Sequence, residues 1–253
     1  MKQNINYSLF SVEHQENFLK SVSKLICKFN IIHSSFIGIG PPADGVENFL
    51  LRLIDTVGPN NLIMPAFSFG SKGNWSCAKT PSDCGIMTEI FRRQDNTLRT
   101  IHPVHSLSIM GPDAEFLSSF LSDTSFGEDS LWNFLLQSED SVNLSFGIGL
   151  VGGATFLHCL EERAKVPYRE IIDLDSEVVD CNGKDLKFQF RYFAHSQNSK
   201  GNNWESVEAD LRKNELLLEQ EVHGINISAM KIMEVSNFVK AKLRKNPYYL
   251  STK

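Results

Sequence analysis

The chain changes its hydrophobic pattern within the segment Phe146-Gly-Ile-Gly-Leu-Val-Gly-Gly-Ala-Thr155-Phe-Leu-His158-Cys-Leu-Glu161-Glu162. Before the glycines, apolar residues from Val142 onward alternate with polar ones, which is the two-residue period of a strand with one buried side. After the glycines, the apolar residues from Phe156 to Ala164 follow helical spacing. The segment therefore predicts a strand, a glycine turn and a helix that starts where open α/β sheets usually bind ligands.

The predicted helix carries a histidine beside two carboxylates. His158 precedes Glu161 by three residues and Glu162 by four, so either carboxylate can lie beside the imidazole. A neighbouring carboxylate orients a histidine and suits it to act as a general base near neutral pH. Thr155 adds a hydroxyl on the same side. The alternative is an ordinary amphipathic helix with a solvated edge, and this segment alone does not decide between the two.

Length and composition predict one globular domain over residues 1–253. The chain is 42% hydrophobic and 22% charged, which is ordinary for a globular protein. It has no apolar run near the ~20 residues of a membrane span and no signal-peptide core, so we expect a cytoplasmic protein without a membrane partner. The net charge of −5 argues against nucleic acid as the main partner.

The cysteines and histidines do not form a recognisable metal or disulfide pattern. The five cysteines are odd in number, scattered and without a CxxC pair, so we expect a reducing compartment and no disulfide framework. His102 and His105 flank a proline, but no acidic residue or cysteine at suitable spacing completes a metal site. We therefore predict no metal.

The first third of the chain reads as strand, helix, strand, the unit of a parallel sheet. An apolar run over 30–37 predicts the first strand, Asp44 is a candidate helix N-cap, and a second strand covers 61–68. The His33-Ser34-Ser35 turn lies where the first strand leads towards the helix, and its N–H groups and hydroxyls can hold a phosphate or an acyl carbonyl. Plain capping is the alternative for this turn.

The last third predicts a β-hairpin and two helices. The hairpin has its turn at Asn182-Gly183. A helix from Trp204 carries Glu205 on its polar face, where a carboxylate either attracts a cationic substrate or is simply solvated. A closing amphipathic helix is expected from Ala229 to Leu243. The predicted fold class is α/β: a mostly parallel central sheet flanked by helices, with a hairpin insertion.

Taken in order, several short motifs resemble the aminoglycoside 3-N-acetyltransferase family, whose fold is unrelated to that of the widespread GNAT acetyltransferases. The match runs from about residue 15 to 170 and continues more loosely to the end. No single motif is specific, but the ordered set is. The motifs are His33-Ser34-Ser35, Leu62-Ile-Met-Pro65, Gly85-Ile-Met-Thr-Glu89-Ile-Phe91-Arg92, Arg99-Thr-Ile-His102-Pro103-Val-His105-Ser106, Gly127-Glu-Asp-Ser130 and Thr155-Phe-Leu-His158-Cys-Leu-Glu161.

The resemblance implies an acetyl-CoA-dependent N-acyltransferase that transfers the acyl group directly within a ternary complex. It implies His158 as the base that deprotonates the amine, and Glu161 as the residue that either orients His158 or holds the cationic acceptor. The residues expected on the CoA side are His33, Ser34, Ser35, Phe36, Arg99 and Ser106. Those expected on the acceptor side are Thr155, Glu162 and Glu205.

The acceptor remains open at this stage. Leu131 replaces a proline that is usual in the family, and the stretch after Gly149 lacks the polar residues often found there. An aminoglycoside, which would connect the chain to antibiotic resistance, is one acceptor; a nucleotide-linked amino sugar of surface-polysaccharide assembly is another. A non-catalytic CoA- or sugar-binding relative is the third reading, and a homo-oligomer is compatible with all three.

Overall fold

The computed structural model describes residues 9–70, 74–197 and 199–252. The helices are α1 (Val12–Val22), α2 (Phe36–Ile39), α3 (Val46–Val57), α4 (Ile86–Arg92), α5 (Ala114–Ser118), α6 (Leu131–Gln137), α7 (Leu150–Gly153), α8 (Phe156–Ala164), α9 (Trp204–Lys213) and α10 (Ile232–Lys245). The strands are β1 (Phe29–Ser34), β2 (Asn61–Pro65), β3 (Asn74–Ser76), β4 (Leu98–Arg99), β5 (Leu107–Met110), β6 (Ser141–Phe146), β7 (Arg169–Asp173), β8 (Glu177–Val179), β9 (Asp185–Leu186), β10 (Arg191–His195), β11 (Leu218–Val222) and β12 (Ile225–Lys231).

The main sheet has the strand order β11-β12-β6-β1-β2-β5-β4 among the described residues. Its centre is parallel, with β1 between β6 and β2, so that Ile31 lies opposite both Asn143 and Ile63. The strands outside this centre pair antiparallel. The predicted α/β sheet is confirmed, and the ends of β6, β1 and β2 lie at one edge.

Alternate side chains of the central strands enter two separate cores. Ile31 and Ile63 belong to the core covered by α6, α8 and α10, whereas Ile32 and Leu62 belong to the core covered by α1, α3 and α4. All four side chains are buried. Burying an aliphatic side chain contributes about 1.5–3 kcal/mol, and the sheet does so on both faces.

β6 differs from the strand with one buried side that its alternation predicts. All of its residues are buried, including the polar ones between the apolar positions. Asn143 Nδ2 donates to the Gly153 carbonyl at 2.6 Å, and Ser145 Oγ donates to the same oxygen at 3.0 Å. The polar side of the strand therefore binds the turn that follows it instead of facing solvent.

The first strand and the next helix start differ from the predictions in detail. The chain leaves β1 after Ser34, and Phe36–Ile39 is a helical turn, so the strand does not reach residue 37. Asp44 does not cap α3, because Gly45 occupies the N-cap position with a positive φ of 93°. The Asp44 carboxylate pairs with Arg52 instead.

The C-terminal third contains the predicted hairpin, formed by β8 and β9 around Asn182-Gly183. β8 also pairs with β3, and β7 pairs with β10 in a separate two-stranded sheet. The closing helix starts later than predicted, at Ile232. Residues 229–231 belong to β12 because that strand hydrogen-bonds along β6, which outweighs the local helical spacing.

The cysteine prediction is wrong in one respect: Cys77 and Cys181 form a disulfide that links residues 104 positions apart. It ties the end of β3 to the β8–β9 hairpin. Spacing could not reveal the pair, because the two residues meet only when these strands align. No helix in the described ranges has both the length and the apolar character needed to cross a membrane.

Candidate active site

A cavity of about 660 Å³ opens at the edge where β6, β1 and β2 end. This is the usual ligand position in an open α/β sheet, and the volume suits a small molecule. The structure brings six of the sequence-predicted site residues into its wall: His33, Ser34, Ser35, Phe36, Thr155 and His158.

His158 and Glu161 form a hydrogen-bonded pair on α8. The distance from His158 Nδ1 to Glu161 Oε2 is 2.5 Å. The Glu161 side chain is fully buried, whereas that of His158 is 21% exposed. Arg169 Nη2, which can only donate, also lies near Nδ1, at 3.1 Å. The carboxylate is closer and can only accept, so we assign the imidazole proton to Nδ1 and the lone pair of the neutral ring to Nε2. That nitrogen is the one available to take a proton.

Three groups hold the Glu161 carboxylate in place. Tyr168 donates its hydroxyl proton to Oε1 at 2.8 Å, and Arg169 Nε lies 3.1 Å from Oε2. Burial favours the neutral acid, but the hydrogen bond and charge of His158, the charge of Arg169 and the Tyr168 hydroxyl outweigh it and lower the pKa of Glu161. Glu161 is therefore a carboxylate that can stabilise an imidazolium at His158.

Two backbone contacts set the position of α8 and of the His33-Ser34-Ser35 turn, called the serine turn below. The Gly153 carbonyl, held by Asn143 and Ser145, fixes the chain directly before α8. The loops after β1 and β6 also touch backbone to backbone: a Cβ on Gly38 would lie 2.0 Å from the Gly147 carbonyl oxygen. Only glycine at position 38 permits this approach, which places the serine turn beside the loop between β6 and α7.

The His33-Ser34-Ser35 turn faces the cavity from the end of β1. The Ser35 N–H donates to the Phe146 carbonyl at 3.0 Å, which anchors the turn to the end of β6. His33 is buried, and burial lowers its pKa to about 4, so the imidazole is uncharged at neutral pH. The turn thus offers two hydroxyls and no charge.

The remaining wall of the cavity combines aromatic and aliphatic side chains with the carboxylate of Asp83 and the guanidinium of Arg169. Phe67, Phe126 and the neighbouring pair Tyr192 and Phe193 come from three different parts of the chain. His158 contacts Phe126 and Trp204, each with a ring-centroid distance of 5.9 Å. Phe126 also lines the cavity, so a bound molecule would meet an aromatic side chain beside the base.

A model of the aminoglycoside 3-N-acetyltransferase family matches residues 31–244, from within β1 to the last turn of α10. This match includes the serine turn, the aromatic wall and the His158–Glu161 pair. The chain belongs to the aminoglycoside 3-N-acetyltransferase family.

Solved structures of aminoglycoside acetyltransferases share this fold. The AAC(3)-IVa apoenzyme superposes with a TM-score of 0.78 at 20% identity, covering 99% of this chain and 94% of that one. AAC-IIIb in a binary complex with CoASH gives 0.77 at 17% identity, covering 94% and 98%. AAC-VIa bound to sisomicin gives 0.78 at 18% identity, covering 94% and 98%. No curated protein sequence matched the chain significantly.

Membership of the aminoglycoside 3-N-acetyltransferase family confirms the predicted family and the predicted reaction class. The family consists of acyl-CoA-dependent N-acyltransferases, so the co-substrate that belongs to it is acetyl-CoA.

Arg99 and Ser106, which we expected on the CoA side, are not among the described residues that line the cavity. Arg99 is buried, and its guanidinium donates to Ser106 Oγ, the carbonyls of Cys77, Thr80 and Ala66, and Ser68 Oγ. These contacts use all five N–H donors of the side chain. Arg99 therefore joins β4 to the strand and loop backbone and has no donor left for a phosphate.

Glu162 and Glu205 also lie outside the residues that line the cavity. Glu162 accepts a hydrogen bond from Thr124 Oγ1, and burial raises its pKa. Glu205 is exposed in the first turn of α9. Helical spacing allowed either Glu161 or Glu162 to pair with His158, and the structure selects Glu161 because β7 brings Arg169 to that side.

Sequence patterns did not identify the partners of Glu161 or the aromatic wall. Tyr168 and Arg169 follow α8 closely, so their proximity to His158 was the available signal. Asp83, Phe126 and Tyr192 carried none, since they converge only through tertiary folding. No group of three or more His, Cys, Asp and Glu side chains suited to a metal ion occurs in the part of the chain that the structure describes.

Proposed function

We propose that this protein transfers the acetyl group of acetyl-CoA to a primary amine of an aminoglycoside or a related amino sugar. The observation that carries the proposal is the His158–Glu161 pair, whose imidazole opens on a cavity at the sheet edge. Two relatives of the same fold support the choice of substrates, since one holds CoASH and another holds sisomicin.

In the proposed reaction, His158 Nε2 takes the proton that the amine loses as its nitrogen attacks the thioester carbonyl carbon. The imidazolium that forms is stabilised by the Glu161 carboxylate 2.5 Å from Nδ1. Collapse of the tetrahedral intermediate breaks the C–S bond, and the CoA thiolate takes the proton from His158. The products are an amide and CoA, and the enzyme returns to its starting state.

The serine turn is the proposed CoA side of the cavity. Ser34 and Ser35 supply hydroxyls near the end of β1, and Phe36 adds an apolar surface suited to the pantetheine arm. Thr155, one turn before His158, is the proposed contact for the acceptor. Removing a donor that stabilises an oxyanion typically costs 10²–10³ in rate, so the serine turn is a sensitive position for substitution.

We also propose a cytoplasmic location, because acetyl-CoA is the co-substrate. The Cys77–Cys181 disulfide is then a bond that reducing conditions can open.

The test is thiol release from acetyl-CoA by the purified protein. The acceptors are sisomicin, apramycin and 3-amino or 4-amino sugar nucleotides, and His158→Ala is assayed beside wild type. We expect turnover of an aminoglycoside, reduced by at least ~10²-fold in His158→Ala with CoA affinity retained. Glu205→Gln, an exposed carboxylate outside the cavity, is the control and should retain activity.

Other results would change the proposal. Turnover of only the sugar nucleotides would replace the acceptor class. Unchanged turnover in His158→Ala would remove His158 from the mechanism, and failure to bind CoA would refute the transferase assignment.

A further inference from the structure

We propose that His105 is a fixed, uncharged hydrogen-bond donor that binds a hydroxyl or ring oxygen of the acceptor within an aromatic subsite. The acceptor's identity rests on the proposed function above; the state of His105 does not. His105 lines the cavity directly before β5, and the proposed acyl transfer does not use it.

The subsite is formed by four aromatic rings around the imidazole. The ring centroids of Phe67, Phe69, Phe126 and Tyr192 lie 4.9, 5.6, 5.1 and 5.6 Å from that of His105. All four rings also line the cavity. Faces of this kind pack well against the C–H surface of a ring-shaped ligand.

The proton position on His105 follows from its neighbours, beginning with His102. The backbone N–H groups of Val104 and His105 both donate to His102 Nδ1, each at 3.1 Å. His102 Nδ1 is therefore unprotonated, and its proton is on Nε2. That nitrogen lies 3.3 Å from the Arg191 carbonyl, which can only accept.

Ser125 lies between His102 and His105, and its hydroxyl determines which nitrogen of His105 carries the proton. Its Oγ lies 2.6 Å from His105 Nδ1 and 3.2 Å from the protonated Nε2 of His102. The same Oγ also lies 3.4 Å from His102 Nδ1, but the single lone pair of that nitrogen already accepts from two backbone N–H groups. His105 Nδ1, at 2.6 Å, is therefore the acceptor for the hydroxyl proton. Ser125 therefore donates to Nδ1, and the proton of the neutral His105 imidazole is on Nε2.

Both imidazoles are uncharged at neutral pH. Burial lowers the pKa of His102 to about 4, and burial followed by the nearby positive groups lowers the pKa of His105 well below its usual value. Of the groups whose charge lowers the pKa of His105, Arg169 is permanently positive, whereas His102 and His158 act only in their protonated forms.

His105 Nε2 has no hydrogen-bond partner among the described residues, and this nitrogen is accessible to solvent. It is therefore open to a ligand in the cavity. An N–H donor requires a lone pair, which a hydroxyl or ring oxygen provides and an ammonium lacks. The ligand group is thus a neutral, hydroxyl-bearing ring, with the amines of the acceptor directed elsewhere.

The position of His105 favours the acceptor over the coenzyme. β2 lies between β5 and β1, so His105 is two strands away from the Ser34–Ser35 turn. The thioester carbonyl oxygen of the coenzyme is the other oxygen to which His105 Nε2–H could donate. A kinetic comparison of acceptor analogues distinguishes the two contacts.

The first experiment measures the tautomer directly by long-range ¹H–¹⁵N correlation NMR of histidine-labelled protein, with His105→Phe used for assignment. We expect protonated Nε2 and unprotonated Nδ1 on His105 at neutral pH. In Ser125→Ala, we expect a mixture of tautomers. An Nδ1-protonated or imidazolium form in wild type would overturn the fixed-donor assignment, whether or not the protein is a transferase.

The second experiment compares an accepted aminoglycoside with its mono-deoxy analogues. In wild type, one analogue should show kcat/KM lower by about 3- to 10-fold, the scale of one neutral hydrogen bond. His105→Phe, which keeps a ring but no donor, should lose this discrimination through KM, with CoA affinity unchanged. His14→Phe, far from the cavity, is the control.

Each remaining outcome is informative. Equal discrimination in His105→Phe and wild type would overturn the acceptor contact. A fall in kcat or in CoA affinity at unchanged acceptor KM would move the contact to the thioester. Absence of binding and turnover with every aminoglycoside would instead refute the proposed function and the acceptor contact derived from it, while the NMR result would still decide whether His105 is a fixed donor.

Discussion

The chemical role of each histidine at the cavity depends on the groups that surround it. The molecule contains three buried or partly buried histidines at the cavity, and each has a different environment. His158 pairs with a carboxylate, His33 is buried beside the Asn143 side chain and the Gly152 backbone, and His105 pairs with a serine hydroxyl. A carboxylate partner supports imidazolium formation, whereas a hydroxyl partner does not, so His158 is the one suited to proton transfer.

Glu161→Gln tests this argument at the residue scale. The amide keeps the size of the side chain but removes the charge that stabilises the imidazolium, and it can present N–H to His158 Nδ1. We expect kcat to fall by about 10²-fold or more with CoA affinity unchanged, measured by thiol release. Glu162→Gln, one residue further on the same helix and outside the cavity wall, is the matched control. Equal losses in both variants would show that the effect is structural.

At the scale of elements, the site depends on how closely the turns after β1 and β6 approach each other. Ser35 N–H bonds to Phe146, and the backbone of Gly38 contacts that of Gly147. The same polar face of β6 holds Gly153, at the end of α7. These contacts join the serine turn and the start of α8 into one unit at the sheet edge.

Gly38→Ala should damage this unit. A methyl group at this position would lie 2.0 Å from the Gly147 carbonyl oxygen, and backbone cannot be displaced as easily as a side chain. We expect a loss of about 1–3 kcal/mol in the free energy of unfolding by urea, together with weaker CoA binding. In Gly149→Ala the new methyl would lie 3.8 Å from Glu208, an ordinary contact, and φ is −83°. Unfolding midpoints that agree for the two variants would contradict the close-approach argument.

At the scale of the whole molecule, the β8–β9 hairpin is held to the main sheet by a small buried cluster. Trp75, Val178 and Phe190 form its apolar part, and the Arg99 guanidinium lies over the Trp75 ring at 4.8 Å. The Cys77–Cys181 disulfide adds a covalent link across 104 positions. The long separation means that this link removes much freedom from the unfolded chain.

Cys181→Ser should therefore lower the thermal stability of the oxidised protein. The expected loss is about 2–4 kcal/mol, the usual range for a native disulfide. Adding a reductant should lower the stability of wild type towards that of the variant and leave the variant unchanged. Cys27→Ser, at a free cysteine, should keep the reductant dependence of wild type. A wild-type melting curve that does not respond to complete reduction would show that the bond contributes nothing.

The sequence by itself determined the α/β class, the strand–turn–helix around Gly152, the family and the pairing of His158 with a carboxylate. These features depend on neighbouring residues and on periodicity, which sequence retains. The tertiary structure decided which glutamate pairs with His158, because the choice depends on Arg169 from β7. It also decided that the Arg99 guanidinium is buried in hydrogen bonds to the loop backbone, that Cys77 bonds to Cys181, and that four aromatic rings surround His105. Each of these depends on segments far apart in the chain that meet only when the sheet forms, and local spacing carries no record of such contacts.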